Sequence, residues 1–381
     1  MTTSPATGPT NATTNPTTAR TPTARTPTAR RTGPESGAPA EGGRSGEPEG
    51  GPRGEPEGSR GGEPEGGEPE GGQHGETESG PRREPVGNPS GGPQGRERVV
   101  RSLTVLRTGP QALVQDLGRP GYAHLGVPPS GALDQPSLRL ANRLVGNPDH
   151  AAGLEVLLGG LHLRADTACT VAVTGAGTPT LVNGVHRDSP IHLRPGDELA
   201  LGTPATGLRA YVAVSGGVAR DPELGSQATD LLSGIGPAPL RPHDVLPLGT
   251  PTGIPTGVDV LVPVHVPDVL DLPLLLGPRD DWFDDPATRL RQGRWTVSDR
   301  SNRVGLRLDG TALRSARTGE LPSEGLVTGA VQVPKDGLPV IFLADHPTTG
   351  GYPVIGVVAR EALPLLGQAR PGTAVRFRPQ G

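Results

Sequence analysis

LPSEGLVTGAVQVPKDGLPVIFLADHPTTGGYP, residues Leu321–Pro353, sets short β-branched apolar runs between breaks of Gly, Pro and Asp. It reads as strand, turn, strand, loop. Glu324, Gln332, Asp345, Thr348, Thr349 and Tyr352 all fall near strand ends. Polar side chains at the ends of barrel strands are where a pocket is lined.

The same rhythm runs outward in both directions. Upstream, Leu103–Leu106, Leu161–Leu163, Thr170–Thr174, Thr180–Val182, Glu198–Leu201 and Arg209–Ser215 read as strands. Val260–Val266, Trp295–Val297, Gly305–Leu308, Val354–Ala359 and Ala374–Phe377 complete the set around Leu326–Val333 and Val340–Ala344. Many short strands with Gly/Pro turns predict a mainly β chain of barrels or sandwiches. Few helices are expected. Gln135–Val145 begins after Asp134, a capping residue, with Pro136 in its first turn, and stops at Gly146-Asn147-Pro148. Pro286–Gln292 follows the acidic run Asp280–Asp285, and a short turn is predicted over Arg360–Leu366. Gly249–Gly257, rich in Gly, Pro and Thr, is the best internal linker, separating halves at 99–257 and 258–381.

Residues 1–98 are different. They hold 22 of the 59 glycines and 16 of the 46 prolines, and Val86 is their one large apolar side chain besides Met1. So little apolar surface cannot offset an ordering cost of ~1–2 kcal/mol per residue, which predicts a disordered tail. TPTAR repeats make its first part basic, and GEPEG repeats make the second acidic. The tail balances 11 Arg against 14 Glu, and the remainder 25 Lys+Arg against 26 Asp+Glu, so nucleic acid is not expected as a partner. The single cysteine, Cys169, excludes an internal disulfide, lies in an apolar run and reads as a buried thiol. The histidines show no ligand spacing, and no metal is expected. With no apolar run long enough to span a membrane and no apolar leader segment, the chain reads as soluble and cytoplasmic.

Four segments carry chemistry. VQDLGRPGYAHLGVPPSGALD, Val114–Asp134, gathers Asp116, Arg119, Tyr122 and His124 among glycines that let backbone approach a ligand. The same spacing suits a long loop tied down by an Asp–Arg pair. TGAG (Thr174–Gly177) and SGG (Ser215–Gly217) follow strands, and such turns bind anions or simply end hairpins; the Walker pattern is absent. DRSNRVGLRLDG, Asp299–Gly310, puts Ser301, Asn302 and Arg303 at a strand mouth, where an amide and a guanidinium suit a carboxylate, amide or phosphate. The fourth segment is Leu321–Pro353, extended by Gly350 and Gly351 of its TTGGY loop.

Taken in order, VQDLGRPGY, GALD, LANRLVGN, LEVLLGG, TGAG, AVSGG, SNRVGLRL, EGLVTGAVQVP and TTGGYP resemble the carboxyltransferase subdomain A/B family across nearly all of 99–378. That family spans the C subunit of 5-oxoprolinase, an antagonist of a sporulation-kinase inhibitor, and half of the carboxyltransferase domain of urea carboxylase (urea amidolyase). The resemblance implies two cyclophilin-like β-barrels, at 99–257 and 258–381. It also implies subunit-B-like and subunit-A-like partners, and hydrolysis of 5-oxoproline to glutamate at the expense of ATP. The alternatives are a biotin-dependent carboxyltransferase half acting on urea, or a regulator binding a subunit-B-like kinase inhibitor. Both chemistries place charge on an amide oxygen, so preorganised donors are needed. At the positions the resemblance supplies, residue type assigns Arg119, Asn302 and Arg303 as donors and Asp116 and Asp345 as groups orienting them or the amide nitrogen. Tyr122, Ser301, Glu324, Gln332, Thr348, Thr349, Gly350, Gly351 and Tyr352 are the substrate-binding candidates. Arg303 is expected to matter to activity and little to stability. Pro347 stands where the family loop often carries Gln, which removes one amide from that loop.

Deleting residues 1–98 is expected to leave the melting temperature within a few degrees, because the segment has almost nothing to bury. A collapse in soluble yield would contradict this.

Overall fold

The computed structural model describes residues 100–256 and 264–380. The expected disorder of 1–98 and the boundary at 257/258 lie outside the described residues, as does most of the strand expected over Val260–Val266. The chain is mainly β, as its punctuation predicts.

The first half is built from two sheets. One has six strands in the order Val245–Pro247, Ser102–Thr108, Leu161–Ala165, Glu198–Leu201, Thr180–Val182 and Val185–His186. The other has five, in the order Gln111–Gln115, Gly153–Leu157, Arg209–Val214, Cys169–Gly175 and Ile191–Leu193. Their inner faces share one core, Leu103, Leu163 and Leu199 from the first meeting Leu154, Val171 and Val212 from the second. Leu161–Ala165 buries alternate residues only, so its sheet has one wet face. Arg209–Val214 is buried at every position because a helix covers the outer face of its sheet. That helix, α1 (Gln135–Leu144), lays Ala141 and Leu144 against Ala172 and Ala213. Asp134 caps it by accepting from the Ser137 N–H at 3.1 Å.

The second half closes into a barrel. Its seven strands run Val269–Leu276, Val354–Val358, Ala330–Gln332, Val340–Phe342, Gly305–Gly310, Trp295–Val297 and Ala374–Gln380, the last pairing in parallel with the first. Leu272, Leu306, Ile341, Ile355 and Phe377 fill it, with Trp295 edge-on to Phe377 at 5.1 Å between ring centres. Helices α2 (Pro286–Gln292) and α3 (Leu363–Gln368) pack against its core through Leu290 and Leu366. Of the strands the sequence predicts, Leu326–Val333 is the most altered. Gly329 at φ +90° breaks it, leaving Ala330–Gln332 in the barrel. Glu324–Gly325 pairs instead with Thr349–Gly350.

Among the described residues, no helix is long and apolar enough to cross a membrane. Cys169 is buried, and burial, only partly offset by Arg101, pushes its thiol up to about 11.

Close backbone crossings explain some of the glycine content. Gly159 sits at φ +71°, and a Cβ there would lie 1.9 Å from the Gly202 carbonyl oxygen. Gly184 has a similar φ, +79°, but open space around it. Gly184→Ala is expected to cost about 1–2 kcal/mol from its left-handed backbone alone, and Gly159→Ala clearly more, read from urea midpoints. Equal losses would contradict the crossing argument.

Candidate functional site

The loop Val114–Asp134 lies between the two halves, and Asp116 and Arg119 spend their charges mainly on backbone. Asp116 accepts from the Gly118 N–H (2.7 Å), the Ser226 hydroxyl (2.6 Å) and the Gln227 N–H (2.7 Å). Arg119 donates through Nη2 to the Ala228 carbonyl and through Nε to that of Glu223 at 3.4 Å. Its Nη1 is buried without a partner among the described residues. Together the two residues pin the 223–228 segment onto the loop. Gly118 and Gly131 permit the loop's own crossing, since a Cβ on Gly131 would lie 2.6 Å from the Gly118 nitrogen. Tyr122 and His124 lie outside this knot, around the short turn Ala123–Leu125, with Tyr122 half-buried.

Below the loop is a buried ionic fork. Arg303, 1% exposed, donates through Nε to Asp345 Oδ2 at 2.8 Å and through Nη2 to Oδ1 at 2.9 Å. Its Nη1 reaches Glu155 Oε1 at 2.6 Å, and Nη2 also reaches the Gly131 carbonyl at 2.6 Å. Arg303 and Asp345 belong to the second half, Glu155 and Gly131 to the first. Asp345 further accepts from the Ser130 hydroxyl (2.8 Å) and the Leu231 N–H (3.2 Å). Glu155 accepts from the Tyr211 hydroxyl (2.9 Å) and the Leu133 N–H (3.0 Å), with Arg209 Nε at 3.3 Å. Gln368 of α3 continues the seam, donating to Asp134 at 2.8 Å and accepting from the Leu208 and Arg209 N–H groups at 2.9 and 3.0 Å.

The charges balance: two guanidiniums face two carboxylates. Burial raises the pKa of Glu155, but Arg303, Arg209 and the Leu133 N–H outweigh it and hold the carboxyl below its ordinary value. Burial would likewise lower that of Arg303, and Glu155 and Asp345 more than reverse this.

These positions correct the expectations for Arg303 and Asn302. As found here, Arg303 has each of its nitrogens engaged by protein, so it offers no open fork to a ligand, and its burial ties it to stability. Asp345 is fully buried, and of the two roles expected of it, orienting a donor or an amide nitrogen, its contacts with Arg303 fit the first. Asn302 is exposed, and its Oδ1 accepts from the Val304 and Gly305 N–H groups at 2.9 and 3.2 Å, a local turn. Ser301 Oγ bonds the backbone of Arg307 in both directions.

The remaining candidates gather at the surface end of the barrel. Asp345 begins the segment that emerges as Thr348–Tyr352, so the fork fixes the root of that loop. Glu324 is held by Arg279, whose Nε donates at 2.9 Å, and the strand pair Glu324–Gly325 with Thr349–Gly350 supports the loop. Gln332 donates to the Tyr352 carbonyl at 3.1 Å, and a Cβ on Gly350 would lie 2.6 Å from that same amide nitrogen, so a side chain there would displace Gln332. The Thr348 carbonyl accepts from the Leu326 N–H at 2.9 Å. Thr349, Gly351 and Tyr352 face outward, and the last two line a cleft of about 990 Å³. Sequence reasoning missed Glu155, Arg209, Gln368 and Arg279. An acid between Leu154 and Val156 in a strand was the one available signal.

Arg303→Met would leave Glu155 and Asp345 without their shared counter-charge and is expected to cost about 3–5 kcal/mol in urea unfolding. A loss under ~1 kcal/mol, the range of an exposed pair, would contradict the fork's role. The depressed pKa of Glu155 contributes stability that is complete above the unfolded carboxyl value of ~4.3 and is lost as pH falls through the folded one. Glu155→Gln should therefore flatten the acid limb of the stability profile; an unchanged limb would refute the assignment.

Comparison with known proteins agrees with this architecture. The family described as carboxyltransferase domain, subdomain A and B, matches residues 125–379. The chain is 37% identical to the C subunit of 5-oxoprolinase from Escherichia coli K12 over 284 residues, 72% of this chain and 90% of that one. It is 33% identical to urea amidolyase of Lachancea kluyveri over 305 residues, 72% of this chain and 17% of that one. Among solved structures, TTHA0988 superposes with a TM-score of 0.67 at 38% identity, covering 74% of this chain and 57% of that one. The K. lactis urea amidolyase superposes with a TM-score of 0.69 at 31% identity, covering 74% and 19%. The chain thus spans little more than half of TTHA0988 and a minor part of the amidolyases. With the family model matched over residues 125–379 and a 37% identical relative covered to 90% of its length, the chain belongs to the carboxyltransferase subdomain A and B family.

Proposed function

We propose that the chain is the C subunit of an ATP-dependent 5-oxoprolinase, working with subunit-A-like and subunit-B-like partners. The observation that carries this is the match to 90% of the length of the corresponding E. coli protein. The likeness to urea amidolyase covers only 17% of that protein. Opening 5-oxoproline breaks the ring C–N bond, adds water across it and consumes ATP as a second substrate. Charge gathers on the amide oxygen, so the site must present fixed donors at a surface that a partner can complete.

In this reading the substrate face is the Thr348–Tyr352 loop with Gln332 and Glu324 behind it. Thr349 offers a hydroxyl and Gly351 an accessible backbone. Asp116, Arg119, Arg303 and Asp345 act one step back, holding the loops rather than touching the amide. A urea-directed reading shares the planar amide and the same face, and substrate choice separates the two.

Co-expression with subunit-A-like and subunit-B-like proteins should give one complex on size exclusion that releases ADP only when 5-oxoproline is present. Full turnover by the isolated chain, or ADP release driven by urea and not by 5-oxoproline, would overturn the reading. Within an active complex, Thr349→Val should lower kcat/KM about tenfold, one hydrogen bond's worth, with the melting temperature unchanged. Unaltered kcat/KM would remove Thr349 from the site.

A further inference from the structure

Aromatic residues are rare in this chain: two Trp, three Tyr and three Phe. Three of these eight, Trp282, Phe283 and Tyr352, line the cleft beside the TTGGY loop. Its walls come from four separate segments fastened by backbone bonds. The Ala316 N–H donates to the Trp282 carbonyl at 2.8 Å, that of Leu313 to Gly337 at 2.8 Å, and that of Val333 to Pro353 at 2.9 Å. The cleft is therefore built by the fold and not by one loose loop.

Its charge is uneven. Arg317 is engaged by Asp281 at 2.7 Å, and Lys335 lies 3.9 Å from Glu320. Arg314 also lines the cleft, is exposed, and has no carboxylate or carbonyl partner among the described residues. A cleft of about 990 Å³ is at the upper end of the ~300–1,000 Å³ typical of small-molecule sites. Aromatic surface takes the flat face of a ligand, and an unpaired guanidinium takes a carboxylate or phosphate in bidentate fashion.

We infer that this cleft is a binding site for a flat anionic small molecule, its planar part against Trp282 and Tyr352 and its anionic group on Arg314. The inference rests on the proposed 5-oxoprolinase role for the choice of probes: 5-oxoproline, a flat cyclic amide bearing a carboxylate, and ATP, a flat base bearing phosphates.

The two tryptophans make the test direct, because Trp295 is sealed in the barrel and Trp282 lines the cleft. Full-length protein is titrated with 5-oxoproline and separately with ATP, following tryptophan emission. A saturable change with at least one probe is expected, with Kd raised at least tenfold in Arg314→Ala and partly recovered in Arg314→Lys. Trp282→Phe should abolish the signal while calorimetry still detects binding. Saturation by 5-oxoproline names the carboxylate as the anion, and saturation by ATP names the phosphates. Saturation by neither, or an unchanged Kd in Arg314→Ala, overturns the inference. A complex that turns over 5-oxoproline with both KM values untouched by Arg314→Ala would remove the cleft and leave the proposed function standing. Arg314-dependent binding in a chain whose complexes do not act on 5-oxoproline would do the reverse.

Discussion

One guanidinium shared between carboxylates from opposite halves of the fold constrains everything around it. Arg303 reaches Asp345 within its own barrel and Glu155 in the neighbouring five-stranded sheet, all three almost fully buried. Ions taken out of water cost several kcal/mol each, and only near-complete pairing and hydrogen bonding offset that. The offset is visible here, since both carboxylates also collect hydroxyl and backbone N–H donors. Such a network tolerates one arrangement of the two halves. An apolar seam would bind them as well and define their register less.

From the fork the order spreads outward. Ser130 and Gly131 tie the Val114–Asp134 loop to it, and Leu231 ties the following segment. Asp345 leads directly into the loop that carries Thr349 and Tyr352. The charged residues of this region thus form a buried support beneath exposed polar and aromatic groups.

Much of the fold was legible in the residues. Period-2 runs such as Leu161–Ala165 and caps such as Asp134 and Asp285 are local signals, and local physics decides them. Val269–Leu276 was not legible: Asp271 and Pro273 interrupt its pattern, yet Asp271 points outward to Arg376 at 2.9 Å. Of the buried fork, Arg303 and Asp345 were legible as polar residues of interest, and their contacts were not. Asp116, Arg119, Arg303 and Asp345 stood out by type, whereas the partners of Arg303 lie 42 to 172 residues away, and spacing carries no information over such distances. Arg303 therefore looked like a free fork at a strand mouth. Glu155 was hidden for the converse reason, since its flanks Leu154 and Val156 face the core and it points to the other side, where loop and helix cover it.

The central claim is that the Arg303–Glu155 contact couples the two halves. A double-mutant cycle of Arg303→Met and Glu155→Gln in urea unfolding measures it most directly. The account predicts a coupling of about 2 kcal/mol or more, the double variant losing less than the sum of the singles. Additivity within ~0.5 kcal/mol would contradict it and reduce the fork to two independent buried charges.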